Sequence, residues 1–129
     1  MSVIPESHRD ILEKKGFAHV ATVGPGGEPQ SHPVWYGWDG EALQISATPA
    51  KQRTRNLRRN PRIAVSIEDP DDPYRYLEIR GPVEIVPDAG NAFIDSMAHK
   101  YMGADRYEYD PPGTECLIIR VIPEHTTHQ

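Results

Sequence analysis

The sequence predicts a mainly β protein with marginal helix, in which six antiparallel strands close into a barrel flanked by short helices. Three observations carry this. Six runs of alternating or β-branched residues recur along the chain, mostly separated by short turn clusters. Helical spacing is confined to three short segments. Strand and helix do not alternate regularly, which excludes a parallel doubly wound sheet.

The elements follow in chain order. Ser7 to Lys15 reads as a short helix, with Glu6 and Asp10 near its front, Ile11 and Leu12 on its apolar face and Gly16 as its stop. AHVATV (Ala18 to Val23) is a strand, and GPGGEP after it is a turn cluster. Gln30 to Trp38 is a second strand. Asp39-Gly40 is the strongest hairpin signal in the chain. ALQISA (Ala42 to Ala47) alternates apolar and polar residues, as a half-buried strand does. A helix then starts with Thr48 as its cap and Pro49 as its first residue, and Asn60-Pro61 closes it. RIAVSIE (Arg62 to Glu68) is a fourth strand and DPDDPY a loop. Arg75 to Val86 is a long strand bent at Gly81-Pro82. Asn91 to Tyr101 is a third helix, with Phe93, Met97 and Tyr101 on one stripe. Gly103 to Thr114 is irregular, and ECLIIRVI (Glu115 to Ile122) is the last strand.

Composition bounds the function. The 129 residues suit one domain, 1–129, large enough to bury a core without metal or disulfide. No apolar run nears the roughly 20 residues of a membrane span. The first residues lack the apolar stretch of a secretory signal. Cys116 is the single cysteine, so an internal disulfide or a cysteine-based zinc site is excluded, and a cytoplasmic, reducing location is expected.

Net charge is −5, but it is unevenly spread. Lys51, Arg53, Arg55, Arg58, Arg59 and Arg62 are six of the 14 basic residues, and no acid lies among them. A basic island in an acidic chain points to a local anion site more than to general nucleic-acid affinity. Lys51 and Arg53 fall near the first turn of the predicted helix. Cations there oppose the helix dipole, by roughly 0.3–1 kcal/mol each when exposed. A bound anion reverses that sign, and the free amides of a helix start add donors. Thr54 and Asn56 offer further hydrogen bonds, and Leu57 anchors the helix to the core. Arg58 and Arg59 either meet a longer polyanion or face solvent.

Other features carry less. GPGG is followed by no Gly-Lys-Ser/Thr and no helix, so it reads as a hairpin turn rather than a phosphate loop. VWYGWDG puts Val34, Tyr36 and Trp38 on one face of a strand and Trp35 and Gly37 on the other. Those aromatics form either core or the wall of a site for a flat ring. His32 either faces a pocket or sits half-buried in its strand. His125 and His128 lie in a tail without a partner motif. No metal-ligand spacing and no nucleophile turn is present. A cationic helix beside aromatic strands, with no evident acid, base or nucleophile, suits a protein whose chemistry belongs to a cofactor.

Four segments in order carry a family resemblance: ATVGPGGEPQSHPVWYGWDG, LQISATPAKQRTRNLRRNPRIAVSI, DPDDPYRYLEIRGPVEI and ECLIIRVIPE. Together they resemble the flavin and deazaflavin oxidoreductases with a split β-barrel, the pyridoxamine 5′-phosphate oxidase-like group. The run KQRTRNLRRNPR is similar to the branch that uses coenzyme F420. The resemblance implies a six-stranded split barrel of the FMN-binding type and a homodimer with two cofactor sites at its interface. It implies that Lys51, Arg53, Thr54 and Asn56 hold the phosphate and tail. It lays Pro33, Val34, Trp35 and Tyr36 along the deazaflavin ring, and brings Tyr74, Arg75 and Tyr76 from the partner subunit. The implied reaction is hydride transfer between the deazaflavin and an unsaturated organic small molecule, with no catalytic acid assigned. Six basic residues suit the phosphodiester and polyglutamate tail of F420 better than the single phosphate of FMN. An FMN-dependent oxidoreductase and a non-catalytic flavin or haem binder remain the alternatives. A nucleic-acid module is disfavoured by the net charge and by the lack of a binding motif.

Overall fold

The computed structural model describes residues 3–129. A 3-10 helix, Glu6–Glu13, precedes β1 (Ala18–Val23), β2 (Pro29–Val34), β3 (Gly37–Trp38) and β4 (Leu43–Ala47). Helix α1 (Gln52–Arg59) leads into β5 (Arg62–Asp69) and the long β6 (Asp72–Pro87). A 3-10 turn, Ala89–Asn91, opens α2 (Ala92–Met102), and β7 (Leu117–Val121) and β8 (His125–His128) close the chain. The strands form one sheet in the order β2-β1-β5-β6-β7-β4-β3, with β8 also paired to β6, and every pairing is antiparallel.

The split lies within β6. Its first part pairs with β5 as far as Pro82, and its second part pairs with β7 from Val83 onward. Gly81 sits at the changeover. A Cβ there would stand 2.0 Å from the Ile122 carbonyl oxygen, so only glycine lets the two chain segments approach. The predicted bend at Gly81-Pro82 therefore marks the point where one strand serves two halves of the barrel.

The expectation of six strands is corrected to eight among the described residues. The predicted second strand breaks at Trp35-Tyr36, because β2 pairs with β1 whereas β3 pairs with β4. The tail forms β8 on Leu77–Arg80, although HTTH lacks the apolar alternation that signals a strand. Asp72 to Tyr74, expected in a loop, already belong to β6. Helix α1 starts three residues later than predicted. Thr48, Pro49, Ala50 and Lys51 form a turn closed by the Lys51 amide on the Thr48 carbonyl, with proline in its favoured second position. The first helix is a 3-10 helix rather than an α-helix.

Period-two burial fills the barrel. Leu43, Ile45 and Ala47 of β4 meet Leu117, Ile119 and Val121 of β7, and all six are buried. Val65, Ile67, Leu77 and Ile79 complete the centre from β5 and β6. Each such Ile or Leu contributes about 2 kcal/mol by leaving water. A second, smaller cluster joins Phe93, Ile94, Met97 and Tyr101 of α2 to Cys116, with Trp35, Tyr107 and Ile118 against it. The stripe predicted on that helix is thus the seam between α2 and the sheet. The Asp88 carboxylate accepts from the Phe93 and Ile94 amides at 2.8 and 2.9 Å, and Gly103 ends the helix in the left-handed region at φ 68°.

Candidate functional site

A cleft of about 290 Å3 opens between the sheet and α2. One wall is Phe17, just before β1, and Pro33, Val34 and Trp35 at the end of β2. The floor is Ser46, Ala47 and Thr48, where β4 runs into the turn before α1. Lys51 and Arg53 close the cationic end, and Ile94, Met97, Tyr107 and Asp110 form the facing wall.

The cationic end is underused by the protein itself. Arg53 is half-buried and donates from Nη2 to the Ser46 carbonyl at 3.3 Å. Its buried Nε has no hydrogen-bond partner. Burial lowers its pKa, and no carboxylate among the described residues pairs with it. An unpartnered buried donor costs roughly 1–3 kcal/mol, which an anion in the cleft would recover. Lys51 caps α1 with an exposed side chain, and its carbonyl takes the Thr54 and Arg55 amides. The amides of Gln52 and Arg53 precede those bonds, and the first turn holds no acid. Phosphate chemistry fits this donor set: two cations, one orphaned N–H and a helix start.

The other four basic residues are placed differently. Arg55 donates to the Ala50 carbonyl at 2.6 Å, Arg59 to the Val23 carbonyl at 2.8 Å, and Arg62 pairs with Glu124 at 2.7 Å. Arg58 is exposed with no partner among the described residues. None of the four lines the cleft.

Five of the eleven candidate residues therefore meet in the cleft: Pro33, Val34, Trp35, Lys51 and Arg53. Thr54 and Asn56 are fully buried beneath α1. Thr54 Oγ1 donates to the Thr48 carbonyl at 2.8 Å, and Asn56 Nδ2 donates to Thr22 Oγ1 at 3.0 Å and Gln30 Oε1 at 2.7 Å. They hold the helix that presents Lys51 and Arg53. Tyr36 is fully buried in the barrel, its hydroxyl donating to the Ile11 carbonyl at 2.8 Å. Tyr74 is 80% exposed, Arg75 pairs with Asp10 and Asp69, and Tyr76 pairs through its backbone with Gln129. These three lie outside the cleft. His32 sits half-buried opposite Val20 and also lies outside it.

The facing wall was not singled out from the sequence. Tyr107 and Asp110 come from the long connection between α2 and β7, which carries only a weak signal: RYEYDPPG concentrates aromatic, acidic and proline residues in an irregular stretch. The Tyr107 amide donates to Asp95 Oδ1 at 2.9 Å, which ties the connection to α2. Burial first, and the neighbouring Asp110 second, raise the Tyr107 pKa, so its phenol stays a donor at neutral pH. Burial likewise raises the Cys116 thiol, which makes it a packing residue. No group of three or more His, Cys, Asp or Glu among the described residues is arranged to hold a metal ion. No helix among them is long and apolar enough to cross a membrane.

Sheet, split and cleft define an antiparallel split-barrel fold with a cationic cleft beside an aromatic wall. The family model for pyridoxamine 5′-phosphate oxidase matches residues 4–128, and the chain belongs to that family. A solved F420 reductase is 42% identical over 96% of this chain and 98% of its own, with a TM-score of 0.84. The conserved hypothetical protein Rv2991 of Mycobacterium tuberculosis is 26% identical over 98% of this chain and 84% of its own, with a TM-score of 0.77. General stress protein 26 of Bacillus anthracis shares the fold at 18% identity and a TM-score of 0.72, over 95% of this chain and 91% of its own.

Proposed function

We propose that this protein is an oxidoreductase that binds coenzyme F420 and transfers a hydride between it and an unsaturated organic small molecule. The observation that carries the reading is Arg53, half-buried at the cleft with an orphaned Nε and no carboxylate paired with it among the described residues. Its likeness to an F420 reductase across nearly the whole chain supports the same reading. When bound, the deazaflavin would supply the C5 position through which the hydride is exchanged.

The chain's own residues would bind and orient. Lys51 and Arg53 hold the phosphate, with the Gln52 and Arg53 amides as added donors. Pro33, Val34 and Trp35 give a flat wall for a ring system. Thr54 and Asn56 act on the phosphate through the placement of α1. Ile94 and Met97 exclude water from the facing side, which strengthens each polar contact in the cleft. The Tyr107 hydroxyl is the protonated donor on that side. In this reading the unit is a homodimer in the cytoplasm, with Tyr74 and Tyr76 turned toward the partner's site and Arg75, held by Asp10 and Asp69, fixing the strand that presents them.

Side-by-side fluorescence titration with F420 and FMN tests the reading. Tight F420 and weak FMN binding is the expected result. The reverse would make the protein an FMN-dependent member, the alternative that the family match supports less well. Binding of neither overturns the cofactor assignment. Sedimentation of the purified protein tests the dimer.

A further inference from the structure

We infer that Tyr101 and Lys100, adjacent on α2, are positioning residues for the aromatic wall of the cleft, setting Phe17 and Trp35 by binding the backbone beside each. The chain breaks between β2 and β3 at Trp35-Tyr36, so the sheet's ladder pairings stop at Val34 and resume at Gly37. Two side chains of α2 replace them. The Tyr36 amide donates to the Tyr101 hydroxyl at 3.1 Å, and Lys100 Nζ donates to the Tyr36 carbonyl at 2.7 Å. The same Tyr101 hydroxyl donates to the Gly16 carbonyl at 2.6 Å. It thereby bridges the residues adjoining the two wall aromatics, Gly16 before Phe17 and Tyr36 after Trp35.

The ring of Tyr101 completes the arrangement. It stacks on the Trp35 indole at 4.8 Å and 3°, and lies 6.2 Å from the Phe17 ring. Lys100 is held in turn, with its ammonium 4.4 Å from the Tyr36 ring centroid and 5.1 Å from that of Tyr101. Burial pushes the Tyr101 phenol up to about 12, so the hydroxyl keeps the proton that it donates to Gly16. Phe17 and Trp35 are therefore set by α2, from a part of the sequence remote from both.

The consequence for ligand binding rests on the proposed deazaflavin site, but the placement of Trp35 can be read without any ligand. In a Trp38→Phe background Trp35 is the sole tryptophan. Tyr101→Phe keeps the stacked ring and removes the bridge. We expect acrylamide quenching of Trp35 to rise about twofold, with circular dichroism unchanged, because the freed backbone lets the indole move. The ligand arm compares F420 with the phosphate-free deazaflavin riboside. Tyr101→Phe should weaken both by a similar factor of about five, whereas Arg53→Ala should weaken only the phosphorylated one. Unchanged quenching in Tyr101→Phe overturns the inference. Raised quenching with no deazaflavin bound by the wild type leaves it standing and removes the cofactor reading instead. If Tyr101→Phe does not fold, Lys100→Met carries the same quenching test, since it removes the donor to the Tyr36 carbonyl.

Discussion

Asp69, at the end of β5, and Arg53, near the start of α1, are both charged groups removed from water, and the chain surrounds them in opposite ways. The Asp69 carboxylate is 4% exposed and takes Lys14 Nζ at 2.8 Å and Arg75 Nη1 at 2.7 Å. It also accepts the Asp71 amide at 2.9 Å, and Arg75 reaches on to Asp10. Arg53 has one long bond to a carbonyl and an Nε with nothing opposite. A matched cluster locks the 3-10 helix to the β5–β6 hairpin. Under the proposed function, the unmatched cation in the cleft is the partner of the cofactor phosphate. The contrast separates charges that build the fold from charges that serve the site, which composition alone merges into a net −5.

Substitutions can break this contrast. The largest effect is expected from Arg53→Ala, which should weaken F420 binding at least about tenfold, or 1.4 kcal/mol, with the melting temperature nearly unchanged. A large loss of melting temperature instead would make Arg53 a fold residue like Asp69. Asp69→Asn is the mirror experiment. It should lower the melting temperature by about 5 °C and leave F420 affinity within about twofold, because Lys14 and Arg75 lose the charge between them.

Acid sharpens the same point. Lys14, the Asp71 amide and Arg75 hold the Asp69 carboxyl well below the usual carboxylate range, and the Arg75 hydrogen bond lowers that of Asp10. A carboxylate whose folded pKa is depressed stabilises fully above its unfolded pKa of about 4 and loses that contribution as pH falls toward the folded value. Thermal melts should be flat from pH 7 to about 5 and decline below about 4, less steeply in Asp69→Asn. The smallest effect belongs to Arg58→Ala. Arg58 is exposed and lies outside the cleft, so F420 affinity should change by less than about twofold. A loss matching that of Arg53→Ala would extend the binding surface along the outer face of α1.

The strands were legible because their information is local. Alternation in Leu43 to Ala47 and in Arg62 to Glu68 states which face is buried, and Asp39-Gly40 states where a hairpin turns. The Asp39 carboxylate accepts the Glu41 and Ala42 amides there at 2.9 and 2.8 Å, as an Asx turn does. The basic run was legible as a cationic segment because charge without counter-charge shows in the sequence. Its division was not. Lys51 and Arg53 reach the cleft while Arg55, Arg59 and Arg62 bond elsewhere, and only the direction of each side chain along α1 and its two flanks decides between them.

What the sequence determined by itself, then, is whatever a short window expresses: strand periodicity, turn chemistry, the Gly81 bend and a cationic segment free of acids. What the tertiary structure decided depends on partners distant in the chain. The break at Trp35-Tyr36 is satisfied by Lys100 and Tyr101, some 64 residues away. The wall opposite Trp35 comes from α2 and the connection that follows it. The tail becomes β8 only because β6 offers Leu77 to Arg80 an unfilled edge. Side-chain periodicity reports which face is buried, but not which remote segment will cover it, and the cleft is made of that covering.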